Sequence, residues 1–143
     1  MSRRTLAAAV AYVIPSFVIA VVWHLQIFAP RYDALEIYRD DMVIPFGLAA
    51  MLIQGVLFGL AVPWITGGRA GLAECLRFAG LAALLSWSYT TLPVAAKFPM
   101  TSISGFVMLE TGFTLAQWAV AGPLMVLAAR LSHGVDTAAR VAA

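Results

Sequence analysis

Charge is the scarcest property of this chain. Only 11% of its 143 residues are charged, against 62% hydrophobic, and the mean hydropathy is +0.90. Residues 5–30, 42–68 and 78–96 carry no Asp, Glu, Lys or Arg, and 98–129 carries a single one, Glu110. Cysteine is almost missing as well. Cys75 stands alone, which excludes an intramolecular disulfide and a cysteine-based metal cage, and a lone cysteine near a helix end reads as a small packing residue. The net charge of +2, spread over scattered basic residues, excludes a nucleic-acid surface. No glycine-rich phosphate loop, nucleophile elbow or cysteine pair occurs. The two histidines, His24 and His133, fall at opposite faces of the expected bundle, so they cannot share a haem iron. A zinc site needs three or four ligands, where His24 and Glu110 supply two. The expectation is a chain with no cofactor and no metal, and not an enzyme.

What is present is four runs long enough to cross a bilayer, since a helix rising ~1.5 Å per residue needs about 20 apolar residues. They predict an all-α fold: an antiparallel four-helix transmembrane bundle forming a single integral membrane domain over 1–143. The spans are expected at about 6–29, 43–65, 72–92 and 101–131. Arg3-Arg4 ahead of an apolar run resembles a signal peptide, but the run is too long and ends in Phe28-Ala29-Pro30 without a cleavage pattern. It reads as a retained first span.

Proline and glycine punctuate these runs. Pro15 predicts a kink in the first span, Pro30 its end, Pro93 the end of the third, and Gly122-Pro123 a bend in the fourth. Between spans one and two, Tyr32, Leu35, Tyr38 and Met42 recur at three- and four-residue steps. That spacing suits a short interfacial helix with its tyrosines at headgroup level. Trp23, Trp87 and Trp64 fit the aromatic belts at the two interfaces. Gly55/Gly59 and Gly112/Ala116 are small-xxx-small pairs that would let helix backbones meet, and so offer faces for a homo-oligomer or a partner membrane subunit.

Arg3, Arg4, Arg69, Arg77, Arg130 and Arg140 fall on one side of the bilayer. Arg31, Arg39 and Lys97 fall on the other, diluted by Asp33, Glu36, Asp40 and Asp41. The positive-inside rule then places both termini in the cytoplasm. Abundant arginine and alanine fit a GC-rich bacterium, which makes the expected location its inner membrane.

Polar groups within hydrocarbon must find partners, so their placement is informative. Glu110, Thr114, Gln117 and Ala121 recur at i, i+4, i+7 and i+11, one narrow face at ~100° per residue. Ser86, Tyr89 and Thr90 share a face of span three, while spans one and two add His24 and Gln54. At ~1.5 Å per residue, Glu110 lies roughly 12 Å below the outer surface and His24 roughly 9 Å. All four spans thus bring hydrogen-bonding groups to similar depth. Glu110 needs a proton or a cationic partner, for which His24 and Lys97 are the candidates.

The landmarks Trp23-His24, Arg39, Pro45-x-Gly47, Gln54-Gly55, Leu76-Arg77-Phe78, Lys97, Glu110 and Gln117 resemble a group of small bacterial four-span membrane proteins of uncharacterised function. That resemblance implies fold and location and no activity. Two functional readings follow from the residues. The first is a non-enzymatic bundle, a subunit or homo-oligomer, whose polar interior fixes helix register. The second is a carrier or binding protein for a small solute or proton, with Glu110, His24, Gln54, Tyr89, Gln117, Thr114 and Ser86 lining an outer-half site.

Overall fold

A computed structural model describes residues 1–39 and 41–141, with side chains through Ser132. The expectations for Asp40, His133 and Arg140 rest on a residue and side chains outside that description. The elements run α1 (Arg3–Val22), a π-helical turn (Trp23–Ile27), α2 (Ala29–Leu35), α3 (Ile44–Thr66), α4 (Leu72–Lys97) and α5 (Ile103–Val141). Four helical segments are long and apolar enough to cross a membrane: Arg3–Ile27, Ile44–Thr66, Leu72–Lys97 and Ile103–Ser132.

Local chemistry sets the helix ends. Ser2 caps α1, its hydroxyl accepting from the Thr5 amide at 3.2 Å. Gly67 and Gly68 end α3 with φ of +60° and +76°, the left-handed backbone that closes a helix where a side chain would be strained. Pro15 and Pro123 lie inside helices that run on past them. Pro30 does not end a helix; it stands in the first turn of α2, after Phe28 has broken the chain direction at φ −110°. Pro93 does not stop α4, which continues to Lys97. Ser88 and Thr90 return their hydroxyls to the Leu85 and Ser86 carbonyls of the same helix at 3.0 and 2.8 Å.

The bundle is built around α1, which packs along both α5 and α3, while α4 packs along α5. Contact between α3 and α4 is much sparser, leaving a lateral crevice between those two helices. An aromatic plug fills the interior toward the Arg4 end. Trp118 of α5 lies 5.3 Å from Tyr12 of α1, 4.8 Å from Phe58 of α3 and 6.2 Å from Phe78 of α4, centroid to centroid. Trp118, Phe78 and Met125 are sealed from solvent.

Close approach depends on glycine, and here the small-residue faces are consumed inside the chain. A Cβ on Gly59 would stand 2.8 Å from the Thr5 carbonyl oxygen, and one on Gly55 would crowd Tyr12 and Val13, both on α1. A Cβ on Gly112 would stand 3.0 Å from the Trp23 ring. Gly55/Gly59 and Gly112 are therefore not free faces for another copy, because α1 and its π turn already cover them. Trp23 and Trp87 are half-buried and make contacts between helices: Trp23 packs on Phe28 and Phe113, and Trp87 donates to the Thr111 hydroxyl at 2.9 Å. Trp64 is 89% exposed.

Gly122 gives the sharpest test of this packing. A Cβ there would meet the Cβ of Ala79 at 2.5 Å and its Cα at 3.0 Å, neither of which can swing away, whereas Gly80 faces open space. Gly122→Ala is expected to cost about 1–3 kcal/mol by overpacking α4 against α5. Gly80→Ala should be neutral or stabilising by up to about 1 kcal/mol through helix propensity. Thermal melts of the two variants in detergent check the opposite signs.

Candidate functional site

The site begins at the π turn. The Phe28 amide bonds back five residues to the Trp23 carbonyl at 3.0 Å, a widened geometry often found at functional positions. His24 sits in that turn. Its Nδ1 donates to the Ala20 carbonyl at 3.1 Å, which fixes the ring, and its Nε2 lies 3.3 Å from Glu110 Oε1. A carbonyl can only accept, so Nδ1 carries a hydrogen. The Nε2···Oε1 contact is then a hydrogen bond only when one further proton lies on the imidazole or on the carboxyl.

A third residue completes the cluster, and sequence reasoning set it at headgroup level. Tyr32 is fully buried and donates its hydroxyl to the same Glu110 Oε1 at 2.8 Å. The short helix after span one therefore exists, and α2 turns Tyr32 inward onto the bundle. Leu35 and Phe106 pack beside Tyr32, and Tyr38 stacks on its ring at 5.2 Å and 9°. The last carbonyls of a helix have no internal partner, and Thr101 supplies two for α2: its amide to Leu35 and its hydroxyl to Ala34, at 3.2 and 2.7 Å. The signal in the sequence was the Tyr32/Leu35 pair one turn apart. Nothing in that pair said which way it would face.

Burial, and after it the negative charge of Glu110, push the Tyr32 phenol well above its ordinary value, and Tyr38 is raised by the same two causes and by Asp33. Tyr32 thus remains a donor to Glu110 across the ordinary pH range. His24 and Glu110 are partly sheltered, with 19% and 15% of their side chains exposed. Lys97 is exposed at the end of α4, so the cationic candidate that reaches Glu110 is His24.

Beside this cluster lies a cavity of about 190 Å³, bordered by Glu110, Thr114 and Gln117 of α5, Gln54 of α3, Ser86 and Thr90 of α4, and Tyr12 of α1. A second hydrogen-bonded string crosses its floor: Gln117 donates to the Tyr12 hydroxyl at 3.3 Å, and Tyr12 donates to Gln54 Oε1 at 2.7 Å. Tyr12 has one hydroxyl hydrogen, so that order of donation is forced. Tyr12 was missed in the sequence, although a phenol deep in an apolar span needs a partner and could have drawn notice. The structure brings Glu110, Gln54, Thr114, Gln117 and Ser86 around one space, with His24 behind the carboxylate. Tyr89 does not join them; it is 78% exposed and borders only the lateral crevice. Among the described residues, no three His, Cys, Asp or Glu side chains gather to share a metal ion.

Comparison with protein-family models, with curated proteins and with solved structures gives no match. Of the resemblance drawn from scattered landmarks, what stands is four long apolar helices consistent with a four-span membrane protein.

Tyr32→Phe tests the cluster. Loss of one interhelical hydrogen bond to a carboxylate should cost about 1 kcal/mol in a bundle of this kind. It should also change the alkaline limb. A raised folded-state value means stability is complete below the ordinary phenol value of 10.0 and declines as pH rises beyond it, where the unfolded state releases the proton and the folded state does not. Thermal melts from pH 8 to pH 11 should show a shallower decline in the variant, with the part due to Tyr38 retained.

Proposed function

We propose that this chain is a membrane-embedded binding protein or carrier for a small solute, acting without covalent chemistry and taking its ligand at the end of the bundle that carries α2. The observation that carries the reading is the division of labour on Glu110. Oε1 accepts from Tyr32 and faces His24, Oε2 accepts no hydrogen bond from the described residues, and the Glu110 side chain borders the cavity. A carboxylate serving only as helix glue would have both oxygens spoken for by the bundle, because an unmet acceptor in hydrocarbon is costly. The subunit reading, placed first on the sequence alone, loses further ground because its small-residue faces are covered by α1 and the π turn.

Orientation supports the same reading. Arg3, Arg4, Arg69, Arg77 and Arg130 gather at the opposite end from α2, which by the positive-inside rule turns the Glu110 cavity toward the outside of a bacterial inner membrane. The plug around Trp118 closes the interior on the cytoplasmic side of the cavity. A solute would therefore enter from outside or from the bilayer and would need a rearrangement of that plug to pass through.

Carbodiimide labelling tests the proposal. A hydrophobic carbodiimide reacts with the protonated form of a carboxyl group that it can reach from the membrane, and at one or more pH values between 5 and 8 should modify Glu110 in the folded protein. Glu110→Gln should abolish that adduct and remain folded. Ser86→Phe, which adds a ring to the cavity wall, should slow the reaction by about tenfold or more. A Glu110 peptide left unmodified across that whole pH range, under conditions that label denatured protein, would mean a closed interior and would sink the reading.

A further inference from the structure

The cavity is not the only space around Gln54, Ser86 and Thr90. The same three residues border the lateral crevice between α3 and α4, a space of about 520 Å³ whose other walls are apolar: Ile53, Leu57, Phe58 and Leu85. That volume falls within the range of about 300–1,000 Å³ common to small-molecule sites. The two spaces therefore adjoin at these three side chains, with an apolar crevice on one side and the polar chamber that Glu110 borders on the other.

The chamber's hydrogen-bonding balance is uneven. Ser86 and Thr90 have given their only hydroxyl hydrogens to the Ala82 and Ser86 carbonyls at 2.7 and 2.8 Å, so toward the cavity they can only accept. Gln117 spends an amide hydrogen on Tyr12, and its Oε1 accepts from no described residue. Glu110 Oε2 is a fourth free acceptor. Against these stand as donors the Gln54 amide, whose oxygen is taken by Tyr12, the second amide hydrogen of Gln117 and the Thr114 hydroxyl. These neutral groups can serve one another or water, but the carboxylate of Glu110 favours an occupant that brings N–H donors with positive charge.

Resting on the binding reading above, we infer that the ligand is a cationic amphiphile: a protonated amine whose ammonium group reaches Glu110 Oε2 while its alkyl tail lies in the crevice between α3 and α4. The headgroup satisfies acceptors that bulk lipid tails cannot, and the tail covers an apolar wall that a water-borne cation would leave empty. An anionic amphiphile is disfavoured by Glu110, and a neutral alcohol supplies one donor where the chamber offers four acceptors.

Octylamine is the probe, with octanol, octanoate and methylamine as comparisons, added to the full chain in phosphatidylcholine nanodiscs at pH 7 and read by the melting temperature. Octylammonium should raise the midpoint with increasing concentration, as a ligand of the folded state does. Octanol and octanoate, matched for concentration in the bilayer, should not, and methylammonium should need far more. In Glu110→Gln the octylammonium concentration for half the effect should rise about tenfold or more, the usual scale for losing a charge-assisted hydrogen bond. Leu85→Trp, which crowds the crevice and leaves Glu110 and its partners untouched, should weaken octylammonium as well. Equal stabilisation by octanol, or an unchanged response in Glu110→Gln, would overturn the assignment of ligand class. The carbodiimide result separates the two levels: with Glu110 labelled, such an outcome removes the cationic amphiphile alone, and with Glu110 unlabelled, the cavity reading goes too.

Discussion

Hydrocarbon offers no donor to a carboxylate, and every element at one end of this bundle is arranged around that deficit. Glu110 Oε1 gathers the Tyr32 hydroxyl from α2 and faces the His24 ring from the π turn, so three segments of the chain converge on one oxygen atom. The convergence gives α2 its orientation. A seven-residue helix has no independent stability, and this one is held by Tyr32 inward, by Leu35 against Phe106, and by Thr101 across its last carbonyls. The polar floor beneath, Gln117 to Tyr12 to Gln54, links α5, α1 and α3 in the same way. Packing around Trp118 then fills the interior toward the Arg4 end, where the Trp118 indole N–H is buried without a partner among the described residues.

The division between a filled half and a hydrogen-bonded half also explains the arrangement of helices. Glycines bring α1 within backbone contact of α3, and Gly122 brings α5 close to α4. No such pair joins α3 to α4, and the crevice follows. Side chains from four helices border the cavity, but only three helices share hydrogen bonds across its floor. On α4, Ser86 and Thr90 turn their hydrogens back into their own helix and present lone pairs to the space.

The spans could be read from the sequence because hydropathy and length are physical requirements of a bilayer, and three charge-free runs with a fourth holding a single acid leave little latitude. That Glu110 and His24 stand at one level of the bundle was legible for the same reason: a rise per residue converts position into height along a helix. What could not be read was direction. Tyr32 and Tyr38 satisfy an interfacial pattern and a buried one equally well, and only the break at Phe28 decides between them. Pro93 reads as a terminator because proline removes a donor, but the loss is of one hydrogen bond one turn from the helix end, and α4 runs on to Lys97. The glycine pairs announced close contact without naming the partner, which proved to be the chain's own first span. Tyr89 shares a helix with Ser86 and yet faces outward, a difference of angle too small for a pattern of three residues to resolve.

The widened turn at Trp23–Ile27 carries a consequence for how this chain tolerates change. Such a turn is an ordinary helix that has absorbed one surplus residue, and the surplus sets the rotational phase between the first span and everything after it. Excising any one of those five positions would let the backbone relax to regular winding and swing the following segment by about 100°. His24 and Tyr32, which now reach the same oxygen from either side of the surplus, could no longer both do so. At this point in the chain the number of residues is therefore more tightly restricted than their kind.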